Sequence, residues 1–458
     1  MPEALAAKTA ANLDAIIKAY DIRGVVPDQL DEGVARAAGA AFAAFTGASA
    51  IVTAHDMRAS SVPLSRAFAE GVVSRGVDVI EAGLGSTDLL YFASGSLGLP
   101  GAMFTASHNP AKYNGIKLCR AGAAPVGQDT GLREVREGIE NGLPPYEGPA
   151  GTISRRELLG EYAAYLRGLV DLSGIRRLSV VVDAGNGMGG HTVPEVFAGL
   201  PLDVTPLYFE LDGTFPNHEA NPLEPSNLLD LQAKVREVGA DIGLAFDGDA
   251  DRCFVVDERG DPVAPSAVTA LVASRELIRE PGATIIFNLI TSRAVPEIVV
   301  EHGGTPVRTR VGHSFIKAEM AASNAIFGGE HSAHYYFRDF WRADTGMLAA
   351  MHVLAALGSQ GGPLSELTNR FVRYVSSGEI NSTVDDQAAR MLAVEAAYGS
   401  RPGVSIDQLD GLTVDLGDGN WFNVRASNTE PLLRLNVEAT SAQAMESLRD
   451  EVLGLIRG

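Results

Sequence analysis

Three times along this chain a short run of small and apolar residues breaks into a polar loop: GAMFTASHNP at 101–110, DIGLAFDGDADR at 241–252 and NAIFGGEHSAH at 324–334. This pattern constrains the fold more than any other feature. A short apolar run ending in a polar loop reads as a buried strand of a sheet that helices cover. The alternation around it agrees. IVTAHD at 51–56 reads as a strand, PLSRAFAEGVVSRG as an amphipathic helix, and VDVIEAG as the next strand. LSVVVDAGNGMGG at 178–190 and ATIIFNLITS at 283–292 repeat the theme. The expected class is α/β, with mixed or parallel sheets. Ligands gather at the carboxyl ends of strands in such sheets, so the three loops are expected to converge on one cleft.

A chain of 458 residues has room for about three or four domains. The clearest linker is GLPPYEGPAG at 142–151, with further breaks near ERGDPVAP at 258–265 and GSQGGP at 358–363. The expected domains are 1–150, 151–257, 258–363 and 364–458. The last changes character: short strand-like runs (VSIDQLDGLTVDL, NWFNVRAS, LLRLNVEA) precede a closing helix, SAQAMESLRDEVLGLIRG, which reads as a small α+β domain.

Net charge is −20, which argues against broad nucleic-acid or anionic-membrane contact. A phosphorylated ligand then needs a local basic pocket. No run approaches the ~18 apolar residues of a membrane span. The N-terminal stretch lacks the apolar core of a secretory signal, and Cys119 and Cys253 have no paired spacing. These readings point to a reducing compartment, the cytoplasm by default.

Four loops carry chemistry. In DGDADR, Asp247, Asp249 and Asp251 alternate after an apolar strand; carboxylates that close repel unless a cation lies among them, and hard divalent cations take oxygen ligands. An EF-hand fits poorly, because Arg252 stands where that loop needs glycine and residues 253–256 read as a strand, although Glu258 falls at its last ligand position. A solvated acidic turn remains an alternative. TASHNP offers Ser107 as a nucleophile. No GxSxG elbow surrounds it, and His108, adjacent in sequence, is badly placed to deprotonate it. Lys117 follows on the next strand-like run. In GGEHSAH, Glu330, Ser332 and His334 share a face if extended, which suits a hydroxyl-rich ligand and, through His334, proton movement. In RASNTEPLLR, Arg425, Ser427, Asn428 and Thr429 are suited to cradle a phosphate, with Arg434 nearby. Taken singly, the last three read equally well as structural turns. Together they make a nucleophile, a cation site, a sugar face and a phosphate cradle, the parts phosphoryl transfer needs.

TASHNP, DGDADR, GGEHSAH and RASNTEP, in that order, resemble the four loops of the α-D-phosphohexomutases, most closely the bacterial phosphomannomutase and dual phosphomannomutase/phosphoglucomutase members. The resemblance implies four domains around a central cleft: three related α/β units with mixed sheets plus a smaller α+β C-terminal domain. It implies that Ser107 carries a phosphoryl group, that Asp247, Asp249 and Asp251 hold Mg²⁺ with a phosphoryl oxygen of Ser107, and that Arg252 steadies the phosphoserine or substrate. Glu330 and Ser332 would hold sugar hydroxyls. Arg425, Ser427, Asn428 and Thr429 would grip the phosphate not being transferred. Tyr20 and Arg23 of AYDIRG and His313 of RVGHSFIK match cleft motifs, and Lys117 and His334 match acid–base candidates; His108 joins the catalytic set. The implied reaction interconverts hexose 6-phosphate and hexose 1-phosphate, mannose before glucose, through a hexose 1,6-bisphosphate that also serves as activator. The implied partners are sugar phosphates only, with the enzyme a monomer or homodimer.

One segment departs from the family. NLITSR at 288–293 has Asn288 and Ile290 where relatives often carry an aspartate and a substrate-contacting lysine. Rival readings are a phosphoglucosamine mutase or a phosphoglucomutase within the family, and a non-catalytic sugar-phosphate binding protein or a metal-dependent phosphatase outside it.

Overall fold

The computed structural model describes residues 13–427 and 431–458. Four sheets follow one another along the chain. In the first, Ala50–His55 lies parallel to Asp78–Leu84 and to Gly101–Phe104, and Tyr113–Arg120 returns antiparallel to Gly101–Phe104. In the second, Ile242–Phe246 is parallel to Leu178–Asp183, and Cys253–Asp257 returns antiparallel. In the third, Phe327–Gly329 is parallel to Thr284–Asn288, and Tyr335–Phe337 returns antiparallel.

The three units therefore make the same move. A buried strand runs parallel to its neighbour, turns through a polar loop, and comes back antiparallel. Each polar loop singled out in the sequence is that turn, and each has one non-glycine residue in the left-handed region: Ser107 at φ 51, Ala250 at φ 58 and Ala333 at φ 62. Such residues are uncommon and concentrate at functional turns.

Helices cover these sheets, and two of them start on side-chain caps. Ser86 accepts from the backbone N–H of Leu89 to begin Thr87–Leu97, and Thr345 accepts from Leu348 to begin Gly346–Gly358. The latter helix is apolar on all sides and buried throughout most of its length, as a helix between layers must be. One continuous core joins the inner face of the first unit to the second and third units, and a separate core lies under the outer face of the first.

The fourth sheet, Val375–Thr383, Leu432–Ala439, Trp421–Ala426, Leu412–Asp415 and Ser405–Asp407 in spatial order, is wholly antiparallel and packs helices Gln387–Tyr398 and Ala442–Arg457 over its own core. The closing helix and three of the strand runs lie where composition placed them. Val375–Thr383, apolar only at Val375 and Ile380, and the helix Gln387–Tyr398 were not anticipated. Two composition-based boundaries fall inside units. The first sheet continues to Ile153–Arg155, past 150, and Leu364 and Leu367 pack in the core of the second and third units, past 363. No helix among the described residues is long and apolar enough to cross a membrane.

Candidate active site

The three turns meet in one cleft of about 250 Å³. The first unit contributes Tyr20, Arg23, Ser107, His108 and Lys117 to its wall; the second Asp251 and Arg252; the third His313, Glu330, Ser332 and His334. Two contacts set the loops against each other. A Cβ on Gly248 would lie 2.4 Å from the Ser107 carbonyl oxygen, so only glycine lets the acidic loop approach the serine loop this closely. Arg252 and His334 form a backbone bridge between the second and third units.

Ser107 is almost fully buried, and its Oγ donates to Asp247 Oδ2 at 2.9 Å. Arg252 reaches the same oxygen with Nη2 at 3.4 Å while its Nε donates to Asp247 Oδ2 at 2.9 Å. The carboxylate oxygens of Asp247, Asp249 and Asp251 include one from each residue, all within 4.8 Å of one another. All three side chains are buried, and Oδ1 of Asp249 and of Asp251 have no hydrogen-bond partner. Buried, unpaired carboxylate oxygens aimed into a small space are the donor set a hard divalent cation takes. Burial, opposed by Arg252 and reinforced by Asp251 and Asp249, pushes Asp247 up to about 8. The residues present thus fit a cation of the Mg²⁺ type.

Lys117 donates to Asp249 Oδ2 at 2.7 Å and to Asp251 Oδ2 at 2.6 Å. Burial disfavours its charge, but Asp249, Asp251 and Asp344 outweigh burial and hold its pKa well above the usual lysine range. It is a fixed cation here. His108 lies 3.3 Å from Ser107 Oγ through Nδ1, and Arg252 donates to the same nitrogen. Burial, with Arg252 and Arg23 beside it, keeps His108 neutral at ordinary pH. A nitrogen already accepting from a guanidinium cannot also take the serine proton, so the geometry supports the sequence-level objection to that pair. Burial and the nearby Lys317 likewise hold His313 down to about 3, and its ring meets Tyr20 edge-on at 4.2 Å, closing the cleft between the first and third units. His334 Nδ1 lies 3.0 Å from Ser332 Oγ.

Arg425 and Ser427 do not line this cavity; Arg425 lies between Glu379 at 3.5 Å and Asp410 at 3.6 Å. Arg434 also reaches Glu379, at 3.3 Å. Asn428 and Thr429 lie outside the described residues.

Several site residues escaped the sequence reading. Arg58, buried, donates to the main-chain oxygens of Ser107, Asn109, Pro110 and Tyr113, with Asp56 on its Nε and the Phe215 ring of the second unit 5.0 Å away. It holds the serine loop in shape. Thr87 donates to Asp249 Oδ2 at 2.6 Å. Lys317, at 2.7 Å from Asp344, adds a second buried ammonium to the cleft wall. The available signal for Arg58 was the acidic and basic pair of HDMR at the carboxyl end of a buried strand. Against a net charge of −20, Arg23, Lys117, Arg252 and Lys317 bring four cations into the cleft, where Asp21, Asp251, Glu330 and Asp344 also line the wall.

Profiles of phosphoglucomutase/phosphomannomutase alpha/beta/alpha domain I, domain II and domain III and of the C-terminal domain match residues 14–143, 160–260, 264–374 and 379–455. A phosphomannomutase of Escherichia coli is 40% identical over 453 residues, covering 96% of this chain and 98% of that protein. A phosphohexose mutase of Xanthomonas campestris is 40% identical over 445 residues, covering 96% and 99%. The crystal structure of a phosphoglucomutase/phosphomannomutase family protein from Burkholderia thailandensis superposes with a TM-score of 0.88 at 33% identity, covering 97% of each chain. The chain belongs to the phosphoglucomutase/phosphomannomutase family. Its activity is that of a hexose phosphate mutase.

Proposed function

We propose that the enzyme moves a phosphoryl group between C1 and C6 of a hexose, mannose in preference to glucose, by way of a phosphorylated Ser107. The observation that carries this reading is the placement of Ser107 Oγ, 2.9 Å from Asp247 Oδ2 and 3.4 Å from Arg252 Nη2, in the wall of a cleft that Arg23, Lys117 and Lys317 also line. The names of the Escherichia coli and Xanthomonas relatives support a phosphohexose substrate and, for the former, mannose.

In the first half-reaction the bond from phosphorus to Ser107 Oγ breaks as the free hydroxyl of hexose 1-phosphate bonds to phosphorus. Arg252 and Lys117 bring positive charge to the transferred group. His334 is the group placed to take the hydroxyl proton, since Lys117 is held as a cation and His108 is occupied by Arg252. Asp247, Asp249 and Asp251, with a phosphoryl oxygen of Ser107, would hold Mg²⁺, which when bound neutralises charge on the transferred group. Glu330 and Ser332 face the sugar hydroxyls. Arg425 and Ser427, with Asn428 and Thr429, grip the phosphate that stays. The hexose 1,6-bisphosphate then turns end over end, and the other phosphate returns to Ser107. Two free, buried cysteines, Cys119 and Cys253, support a reducing, cytoplasmic setting.

The test is turnover of mannose 1-phosphate, glucose 1-phosphate and glucosamine 1-phosphate with Mg²⁺ and a trace of the matching bisphosphate. Isomerisation fastest on mannose 1-phosphate is the expected outcome. Fastest turnover of glucosamine 1-phosphate would reassign the substrate, and release of inorganic phosphate without isomerisation would replace the mutase cycle with a phosphatase.

A further inference from the structure

We infer that Asn288 is a positioning residue for Glu330 and through it sets the affinity for the hexose ring; this rests on Glu330 being a sugar contact, as proposed above. Asn288 ends the strand Thr284–Asn288, which lies between Thr305–Thr309 and Phe327–Gly329 in the third sheet. Glu330 is the first residue beyond the neighbouring strand. Both side chains are buried, and Asn288 Nδ2 donates to Glu330 Oε2 at 3.2 Å.

The amide can be presented to Glu330 in only one sense. The carboxylate of Glu330 accepts only and so takes the NH₂ end, while the Thr291 hydroxyl donates to Asn288 Oδ1 at 2.7 Å and pairs the other end. Flipping the amide would set its carbonyl oxygen against a carboxylate oxygen in a buried site, a repulsive pairing with no water to screen it. Glu330 is anchored elsewhere too: the Tyr336 hydroxyl donates to Oε1, and Ser332 Oγ lies 3.4 Å from Oε2. A carboxylate has about four acceptor positions, so three fixed donors leave about one direction open, toward the cleft.

This explains the chemistry of NLITSR in this chain. With Ile290 in place of the lysine that accompanies the aspartate in relatives, a carboxylate at 288 would sit about 3 Å from Glu330 with no added cation, where like charges cannot both persist without a shared proton. Asparagine keeps the length, removes the charge and supplies the donor. Ile290, two residues on and buried, adds no charge to the subsite.

The experiment is steady-state kinetics on mannose 1-phosphate, with inhibition by inorganic phosphate measured beside it. The variants are Asn288→Asp, Glu330→Gln and the two combined. Asn288→Asp is expected to raise KM about tenfold while kcat changes less than about threefold, the effect of losing one hydrogen bond to a charged group. Inhibition by phosphate should stay as in the parent enzyme. Because Asn288 acts through Glu330, the double variant should match Glu330→Gln alone.

Costs that add in the double variant would overturn the inference. So would a parallel change in phosphate inhibition, or an unchanged KM in Asn288→Asp when Glu330→Gln has raised it. An unchanged KM in Glu330→Gln would instead overturn the sugar-contact reading itself. If Asn288→Asp does not fold by circular dichroism, Asn288→Ala, which removes the donor to Glu330, carries the same test. It should raise KM to a smaller extent, and an unchanged KM there overturns the inference.

Discussion

Ser107 is held by Thr105 and His108 beside it and by residues far from it in sequence. Its Oγ meets Asp247, 140 residues away, and its carbonyl meets Arg58. Ser107→Ala is expected to lower turnover by at least about a thousandfold, since the covalent route is lost while binding remains; isomerisation assays with the bisphosphate present check this. Arg58 makes a subtler case. Its fork reaches four carbonyls at once, which a lysine ammonium on a flexible stem cannot do. Arg58→Lys should cut kcat about a hundredfold through a misplaced serine loop, with a smaller change in KM. The acidic loop yields a third expectation. Burial raises Asp247 to about 8 against the pull of Arg252, and a bound cation favours the ionised carboxylate. Metal binding near pH 7 should therefore release protons and tighten as pH rises toward 8. Calorimetric titration with Mg²⁺ in two buffers of different ionisation enthalpy measures this.

At the scale of elements, the site is made by three equivalent turns and by what lets them touch. Each turn was legible because its chemistry is contiguous: TASHNP, DGDADR and GGEHSAH each put their functional groups within a few residues after an apolar run. The contacts between turns were not. Gly248 reads in sequence as one more loop glycine, yet its missing side chain is where the Ser107 carbonyl lies. Gly248→Ala should part the two loops, lowering turnover by about a hundredfold, as a misplacement of about 1 Å does, while the circular dichroism spectrum is unchanged. Thr87 is similar. It opens a helix whose sequence advertises only a cap, and its hydroxyl holds Asp249, 162 residues away.

Across the whole molecule, the first three units are locked together by a buried polar knot. Asp88 of the first unit accepts from Tyr162 of the second and Thr345 of the third, each at 2.7 Å, amid Phe92, Tyr165, Phe340 and Trp341. Burial raises Asp88 to about 6, only partly offset by hydrogen bonds from Ser86, Tyr162 and Thr345. A carboxyl raised in the folded state binds its proton more tightly there than in the unfolded chain. Its contribution is thus complete below the unfolded value near 4 and is lost as pH rises through about 6. Thermal unfolding from pH 4 to 7 should show a loss in the parent enzyme of up to about 3 kcal/mol from this group, and Asp88→Asn should flatten that component. The fourth unit stands outside the knot on its own core.

By itself the sequence determined the class of fold, the four loops in order and the residue types they carry. Those properties are local: strand periodicity, turn chemistry and donor sets lie within a few residues of one another. Only the tertiary structure decided which groups are free to act. His108 is silenced by Arg252, Lys117 is pinned by two aspartates, Asn288 is aimed by Glu330 and Thr291, and Arg58 and Asp88 emerge as the groups that hold loops and units together. The physical reason is that charge state and orientation of a buried polar group depend on its partners in space. Except for Asn288 and Thr291, the partners here come from distant parts of the chain, brought together by a core that no local pattern encodes.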